Sequence, residues 1–579
     1  MPLSLRRLAP FALAPLFTLI SAAASGCGGD DDDEPPIRWG TCEAPFESMG
    51  ECGTLSVPLD WDNPQGEKIS VFVARTKASG TPRAQLWFLQ GGPGASGAVF
   101  ADRPAPEVPS VIDEYHQAFP EFDLYIIDHR GVGRSTRLGC PAFESDESAG
   151  GFLLTDAETP PCLEALKAEW GDRLRFFTSQ AAARDLGAAT DATRAPGQQL
   201  FVYSVSYGTY WAIQYLKARP ADASGVVLDS IATPGVQFFN DFGLQADAVA
   251  EKLAALCAAD ALCAEKMGPD PWARVRAAVS KVRQEGQCFA AVKAEDERRI
   301  LEADGDPATD GSFPDGATYA AIVEQFLRVT IQFRSLNTLL FPLLYRLERC
   351  EPADAVAFYT YLVELSTRLD PRADPAARLD SDMLRLHVGI SEIYDPAAPP
   401  REAIEKACDE ALFCSLPSDV VYRDAWPRYT PAPDVWQWPA TDVPILAMNG
   451  ELDSQTPIEK AEQIAGNLRA PTQNFVRVPF GTHTVLFNSP VQAAGGATCG
   501  GQMFDAFLRD PAAPPASGCL GDLARPAFTR SAEFAQSFFA QADVWENAAP
   551  PGEPAALASR GGGAVLRLPA GRRPERLGF

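Results

Sequence analysis

Leu200-Phe201-Val202-Tyr203-Ser204-Val205-Ser206-Tyr207-Gly208-Thr209 decides how this chain is read. The run Leu200 to Val205 is short, apolar and rich in β-favouring residues, as expected of a strand buried on both faces of a sheet. From Thr209 to Ala218 the pattern is that of a helix. Ser204 to Gly208 must therefore turn sharply from strand to helix. Such a turn projects one hydroxyl from the sheet edge and leaves room only for small residues two places on either side. Gly208 meets that demand, and Ser204 puts a small side chain where glycine is usual. Ser206 is the candidate nucleophile.

Outward from this point, strands and helices alternate. Thr54–Leu59 and Lys68–Arg75 read as early strands, and Gln85–Leu89 and Leu124–Ile127 as short buried ones. Thr178–Thr193 reads as a helix with a threonine at its start, and Gly225–Leu228 as the next strand. After the insert described below, Val443–Met448 and Asn474–Val478 resume the strands, with a helix predicted over Ile458–Leu468. This alternation predicts an α/β fold: a mostly parallel sheet with helices on both faces.

The loop after the strand Gln85–Leu89 is Gln90-Gly91-Gly92-Pro93-Gly94. In folds with a nucleophile turn of this kind, one amide that stabilises a developing oxyanion comes from this loop, and the other from the residue after the nucleophile. That assigns the N–H groups of Gly92 and Tyr207. The general base follows by elimination among the four histidines, His116, His129, His387 and His483. The chain order in such folds is nucleophile, acid, base. His116 and His129 precede Ser206, and His387 precedes every late strand that could carry the acid. His483, in Phe480-Gly481-Thr482-His483 after the last strand, remains. The acid is expected just after Val443–Met448, in Asn449-Gly450-Glu451-Leu452-Asp453, with Asp453 the choice and Glu451 the fallback.

Residues 236–440 are mainly helical and read as a cap inserted into the α/β unit. The organisation expected is a signal peptide over 1–26, an acidic tether over 27–36 and a first core segment over 37–235. The cap, a second core segment over 441–547 and a disordered tail over 548–579 follow. Arg6 and Arg7, the apolar run Leu8–Ile20 and the small residues before Cys27 have the three parts of an export signal. Ala24-Ser25-Gly26-Cys27 resembles a bacterial lipoprotein signal, which implies lipidation of Cys27, although Ala24 stands where Leu is common; cleavage as a plain secreted protein is the alternative.

Thirteen cysteines are present, and setting Cys27 aside leaves an even number. They fall into neighbouring pairs: Cys42/Cys52, Cys140/Cys162, Cys257/Cys263, Cys288/Cys350, Cys408/Cys414 and Cys499/Cys519. For an exported chain these are expected disulfides, with connectivity guided only by spacing. No Cys/His cluster suggests a metal. The net charge of −26 argues against nucleic acid, which needs a basic surface.

Five motifs lie in order along the chain: QGGPG (Gln90–Gly94), DHRGVGRS (Asp128–Ser135), SYGT (Ser206–Thr209), GELDSQTP (Gly450–Pro457) and FGTHTVL (Phe480–Leu486). The chain resembles the proline iminopeptidase and secreted tripeptidyl aminopeptidase branch of the α/β-hydrolases, over about residues 40 to 490, and Cys499–Cys519 is similar to the C-terminal region of the secreted members. Gln90 replaces the histidine of its relatives, and Ser204 the first glycine of the turn; both bear on substrate preference. Asp128, Arg130 and Arg134 read as structural. The resemblance implies an aminopeptidase that uses Ser206, His483 and Asp453 through an acyl-enzyme, with no metal or organic cofactor, on a peptide or small acyl substrate. A carboxylesterase or lipase on the same triad is the alternative, and a non-catalytic binding lipoprotein is a third reading. An aminopeptidase needs a cap carboxylate for the substrate ammonium, and Glu324 is one candidate. The membrane would be met only through the N-terminal lipid anchor.

Overall fold

Among the described residues nine strands form one sheet: β1 (Ile37–Gly40), β2 (Glu51–Pro58), β3 (Lys68–Thr76), β4 (Ala84–Leu89), β5 (Phe122–Ile127), β6 (Gln199–Val205), β7 (Gly225–Asp229), β8 (Ile445–Gly450) and β9 (Gln473–Val478). Their order across the sheet is β1-β2-β3-β5-β4-β6-β7-β8-β9. The first three pairings are antiparallel, and from β5 to β9 all are parallel. The structure is a computed structural model and describes residues 36–103, 108–370, 372–492 and 497–548. The expected signal peptide, Cys27, the tether before Pro36 and the tail beyond Ala548 lie outside the described residues.

β4, β5, β7 and β8 are buried along their whole length because helices cover both faces. The helix Ser179–Thr193 is opened by Thr178, whose hydroxyl accepts the Ala181 N–H, and packs beside the helix Tyr207–Ala218. Register then decides where the chemistry collects. Leu89 pairs with Ser204, Val205 with Asp229, and Asp229 with Met448, so the C-terminal ends of β4, β6, β7 and β8 are level. The residues that follow them meet at one sheet edge, the usual site of function in parallel α/β sheets.

Between β7 and β8 the described residues form helices and loops, from Phe239–Gln245 to Ser418–Tyr422. This cap has its own apolar core, including Leu253, Val279, Leu343 and Tyr361. The segment expected to complete the sheet domain up to residue 547 departs from that assignment after about residue 527. Phe528, Phe538, Phe539 and Trp545 are buried in the cap core, and the helix Ala532–Phe539 packs on the cap helix Pro352–Arg368. Ala535, Phe538 and Phe539 share one helical face, and the cap helix supplies the apolar surface that buries it. Arg346, buried and paired with Asp354 at 2.9 Å, fastens the segment by donating to the carbonyls of Asp543 (2.8 Å), Val544 (2.7 Å) and Glu546 (2.8 Å). Removing one partner of such a buried pair costs roughly 3–5 kcal/mol.

A second departure is local. The helix expected over Ile458–Leu468 is one α-turn, Ile458–Ala461, followed by the 3₁₀ segment Glu462–Asn467; Gly466 weakens helical continuation there. Among the described residues six disulfides join Cys42–Cys52, Cys140–Cys162, Cys257–Cys263, Cys288–Cys350, Cys408–Cys414 and Cys499–Cys519. Among the described residues no helix is long and apolar enough to cross a membrane.

Candidate active site

Ser206 stands at the turn between β6 and the helix Tyr207–Ala218 with φ 55° and ψ −128°, a conformation costly for a non-glycine residue and retained where a side chain must be held out from the chain. Its N–H donates to the Asp229 carbonyl (3.0 Å), tying the turn to the next strand. A Cβ on Gly208 would lie 2.4 Å from the Leu89 carbonyl oxygen, so this side of the turn admits only glycine. On the other side Ser204 is accommodated because its hydroxyl points into the sheet and donates to the Val227 carbonyl at 2.7 Å. Gly91 is equally constrained, since a Cβ there would come within 2.7 Å of the Ser206 Cβ.

His483 Nδ1 lies 3.0 and 2.9 Å from the two oxygens of Asp453. Asp453 Oδ1 also accepts the N–H groups of Gln455 (2.8 Å) and Thr456 (2.9 Å), and Oδ2 the Thr456 hydroxyl (2.8 Å). Burial alone would raise this carboxyl, but His483 and the Thr456 donors outweigh it and hold Asp453 below its ordinary range. An ionised Asp453 keeps the proton on Nδ1 and leaves Nε2 bare, the tautomer a general base needs. Glu451 is turned away and pairs with Arg477 at 3.2 Å.

Sequence reasoning missed Asp229, whose place at the C-terminal end of a buried strand was the available signal. Its carboxylate accepts Val485 N–H (2.7 Å), Leu486 N–H (2.8 Å) and the Tyr203 hydroxyl (2.9 Å), while Ser230 Oγ accepts Thr484 N–H (2.7 Å). Three successive amides after His483 are thus fastened to the end of β7. Burial drives Asp229 up to about 6 against the pull of these donors.

Ser206, Tyr207, Gly92 and His483 line one cavity of about 140 Å³. Tyr207 is the first residue of its helix, where N–H groups lack intrahelical acceptors. The cap contributes an apolar wall of Phe239, Phe242 and Phe333, together with Arg385 and the carboxylates Asp374 and Asp380. Arg385 pairs with Asp419 at 2.8 Å. Asp380 Oδ1 accepts the Ser96 N–H at 2.9 Å, and Asp374 is exposed. Glu324, the cap carboxylate suggested by sequence, is instead held by Arg283 through contacts of 2.6 and 2.8 Å and does not line the cavity. Asp374 and Asp380 lie in a Pro- and Ala-rich break without periodicity, so their position was invisible in one dimension.

The remaining motif residues are structural. Asp128 accepts from Ser96 Oγ (2.8 Å), Gly97 N–H (3.0 Å) and Arg134 N–H (3.1 Å), fastening its own loop to the one after β4. Arg130 pairs with Asp185 in full burial, and Arg134 donates to the Ala44 carbonyl. His387 faces the Leu174 carbonyl and the Trp426 indole inside the protein.

A sheet of this order, with a nucleophile turn after β6 and a helical insert before β8, is that of an α/β-hydrolase. A family model described as TAP-like protein matches residues 419–519. Tripeptidyl aminopeptidase of Streptomyces coelicolor is 30% identical over 220 residues, 34% of this chain and 38% of that protein. Carboxylesterase B of Mycobacterium tuberculosis is 33% identical over 133 residues, 22% of this chain and 25% of that protein. Serine protease Hip1 of Mycobacterium tuberculosis is 26% identical over 257 residues, 41% and 47% of the two chains. The matches thus span between a quarter and about half of these relatives' length. Over the matched segments the α/β-hydrolase chain is similar to tripeptidyl aminopeptidases and to other serine hydrolases.

Proposed function

We propose that the chain is an exported serine peptidase of the aminopeptidase type, releasing proline or a short peptide from substrate N-termini. Ser206 attacks the carbonyl with His483 as base, Asp453 stabilises the imidazolium, and the Gly92 and Tyr207 amides receive the oxyanion. His483 then protonates the leaving amine, and water releases the acyl group. One observation carries the reading: the cap brings Asp374 and Asp380 to the same small cavity as Ser206. A carboxylate there compensates the desolvation of a substrate ammonium. The volume of about 140 Å³ suits one small acyl residue, so a longer peptide would require the cap to give way. Export is supported by six disulfides in the described chain, and Cys27 is the proposed lipid site.

The test compares prolyl and tripeptidyl chromogenic amides, free and N-acetylated, with a nitrophenyl ester. Acetylation removes the charge and leaves the cavity carboxylate without its partner; with Asp374 exposed and Asp380 half-buried this costs roughly 1 kcal/mol, or about fivefold in kcat/KM. The apolar wall of Phe239, Phe242 and Phe333 favours the second reading, a carboxylesterase. Equal cleavage of free and acetylated amides, or activity confined to the ester, decides for it.

A further inference from the structure

Behind the cavity runs a buried polar chain that the triad does not use. His129 Nδ1 lies 2.6 Å from the Arg130 carbonyl, so Nδ1 carries the proton and donates. Burial holds His129 neutral, down to about 3, so its Nε2 can only accept. The Tyr207 hydroxyl, 3.1 Å from that nitrogen, is therefore the donor to it. The Ser179 hydroxyl, 2.6 Å from Tyr207 Oη, then donates to Tyr207. Ser179 in turn gives its backbone N–H to Glu392 Oε1 at 3.0 Å, where the Tyr429 hydroxyl also donates at 2.5 Å. Glu392 is the last residue of the cap helix Asp382–Glu392.

Tyr207 is the residue whose backbone N–H is assigned to the oxyanion. Its phenol spans the core between the Asp128–Ser135 loop and Ser179, and Ser179 is held from the cap. We infer that the His129–Tyr207–Ser179–Glu392 chain is a positioning device that aims the Tyr207 amide and makes the oxyanion site depend on a seated cap. Tyr207 Oη, Ser179 and Glu392 are positioning groups; none touches the reacting atoms. A rigid donor matters here because it acts only on charge that develops in the transition state.

The inference rests on Ser206 being the nucleophile, so the experiment first maps a fluorophosphonate adduct by mass spectrometry. An adduct absent from Ser206 overturns that assignment and the inference with it. With the adduct on Ser206, Tyr207→Phe and Ser179→Ala are compared with wild type for kcat, KM, and affinity for a trifluoromethyl ketone that forms an oxyanion and for a reaction product that does not. Tyr207→Phe should lower kcat about tenfold, a fraction of the 10²–10³ lost with a whole oxyanion donor. The ketone should weaken by the same factor, with KM and product affinity within twofold. The double variant should lose no more than Tyr207→Phe alone. Unchanged kcat, equal weakening of ketone and product, or additive losses would overturn the inference while leaving the triad in place. Should Tyr207→Phe fail to fold, Ser179→Ala and Glu392→Gln decide it by the ketone-to-product ratio, which a general loss of packing does not move.

Discussion

Asp453→Asn is the sharpest perturbation of the proposed triad, because the surroundings dictate which way the amide must face. At the Oδ1 position two backbone N–H groups, of Gln455 and Thr456, point inward at 2.8 and 2.9 Å and can only donate. The Asn oxygen has to occupy that position, since an NH₂ there would oppose two donors. The NH₂ then takes the place of Oδ2, between the Thr456 hydroxyl and His483 Nδ1, which lies 2.9 Å away. Thr456 can reverse its hydroxyl and accept. With the NH₂ facing Nδ1 at 2.9 Å and the oxygen, already taken by two amides, at 3.0 Å, acceptance at Nδ1 is favoured, which moves its proton to Nε2. In that tautomer Nε2 cannot take the Ser206 proton, while the fold and the cavity are unchanged. The expected loss in kcat is about 10⁴, or roughly 5.5 kcal/mol of activation free energy, with KM little altered. The assay is steady-state turnover of a free-amine chromogenic amide, with circular dichroism to verify folding and Glu451→Gln as a comparison retaining at least half of wild-type activity. A folded Asp453→Asn variant keeping more than about a tenth of the turnover would refute the argument, as would a Glu451→Gln variant that loses it.

Three further outcomes follow from groups outside the triad. With a folded pKa of about 6 against an ordinary 3.8, Asp229 binds its proton more tightly in the folded chain. Its contribution to stability is complete below about pH 4 and lost as pH rises through about 6, a change of roughly 3 kcal/mol. Asp229→Asn should remove that slope from denaturant unfolding measured between pH 4 and 7; an unaltered slope would show that the group is not displaced. Because Asn also sets an NH₂ against Val485 or Leu486 N–H, the variant should lower kcat by freeing the His483 loop. Cys288–Cys350 closes a 62-residue separation within the cap, and replacing both cysteines by serine should cost about 4 kcal/mol. Equal urea midpoints for this variant and wild type would contradict that figure.

What the sequence determined by itself was whatever depends on neighbours along the chain. Short apolar runs such as Leu200–Val205 and Gln85–Leu89 can bury both faces only as strands in a covered parallel sheet, so the sheet was legible. The turn at Ser206 was legible because its steric demand falls on residues two positions away, and the order of nucleophile, acid and base left one histidine. The disulfide partners were nearest neighbours among the cysteines, which short loop closure favours. The tertiary structure alone decided matters in which a residue's partner is distant. Glu324 and Asp374 are both carboxylates of the cap, and only packing turns one to Arg283 and the other to the cavity. Asp229 reads as the end of an apolar strand until register brings it beneath the amides of Val485 and Leu486, more than two hundred residues later. The segment around Trp545 follows the last strand and still belongs to the cap, because an apolar helix face is buried wherever complementary apolar surface is available, and that surface lies on Pro352–Arg368.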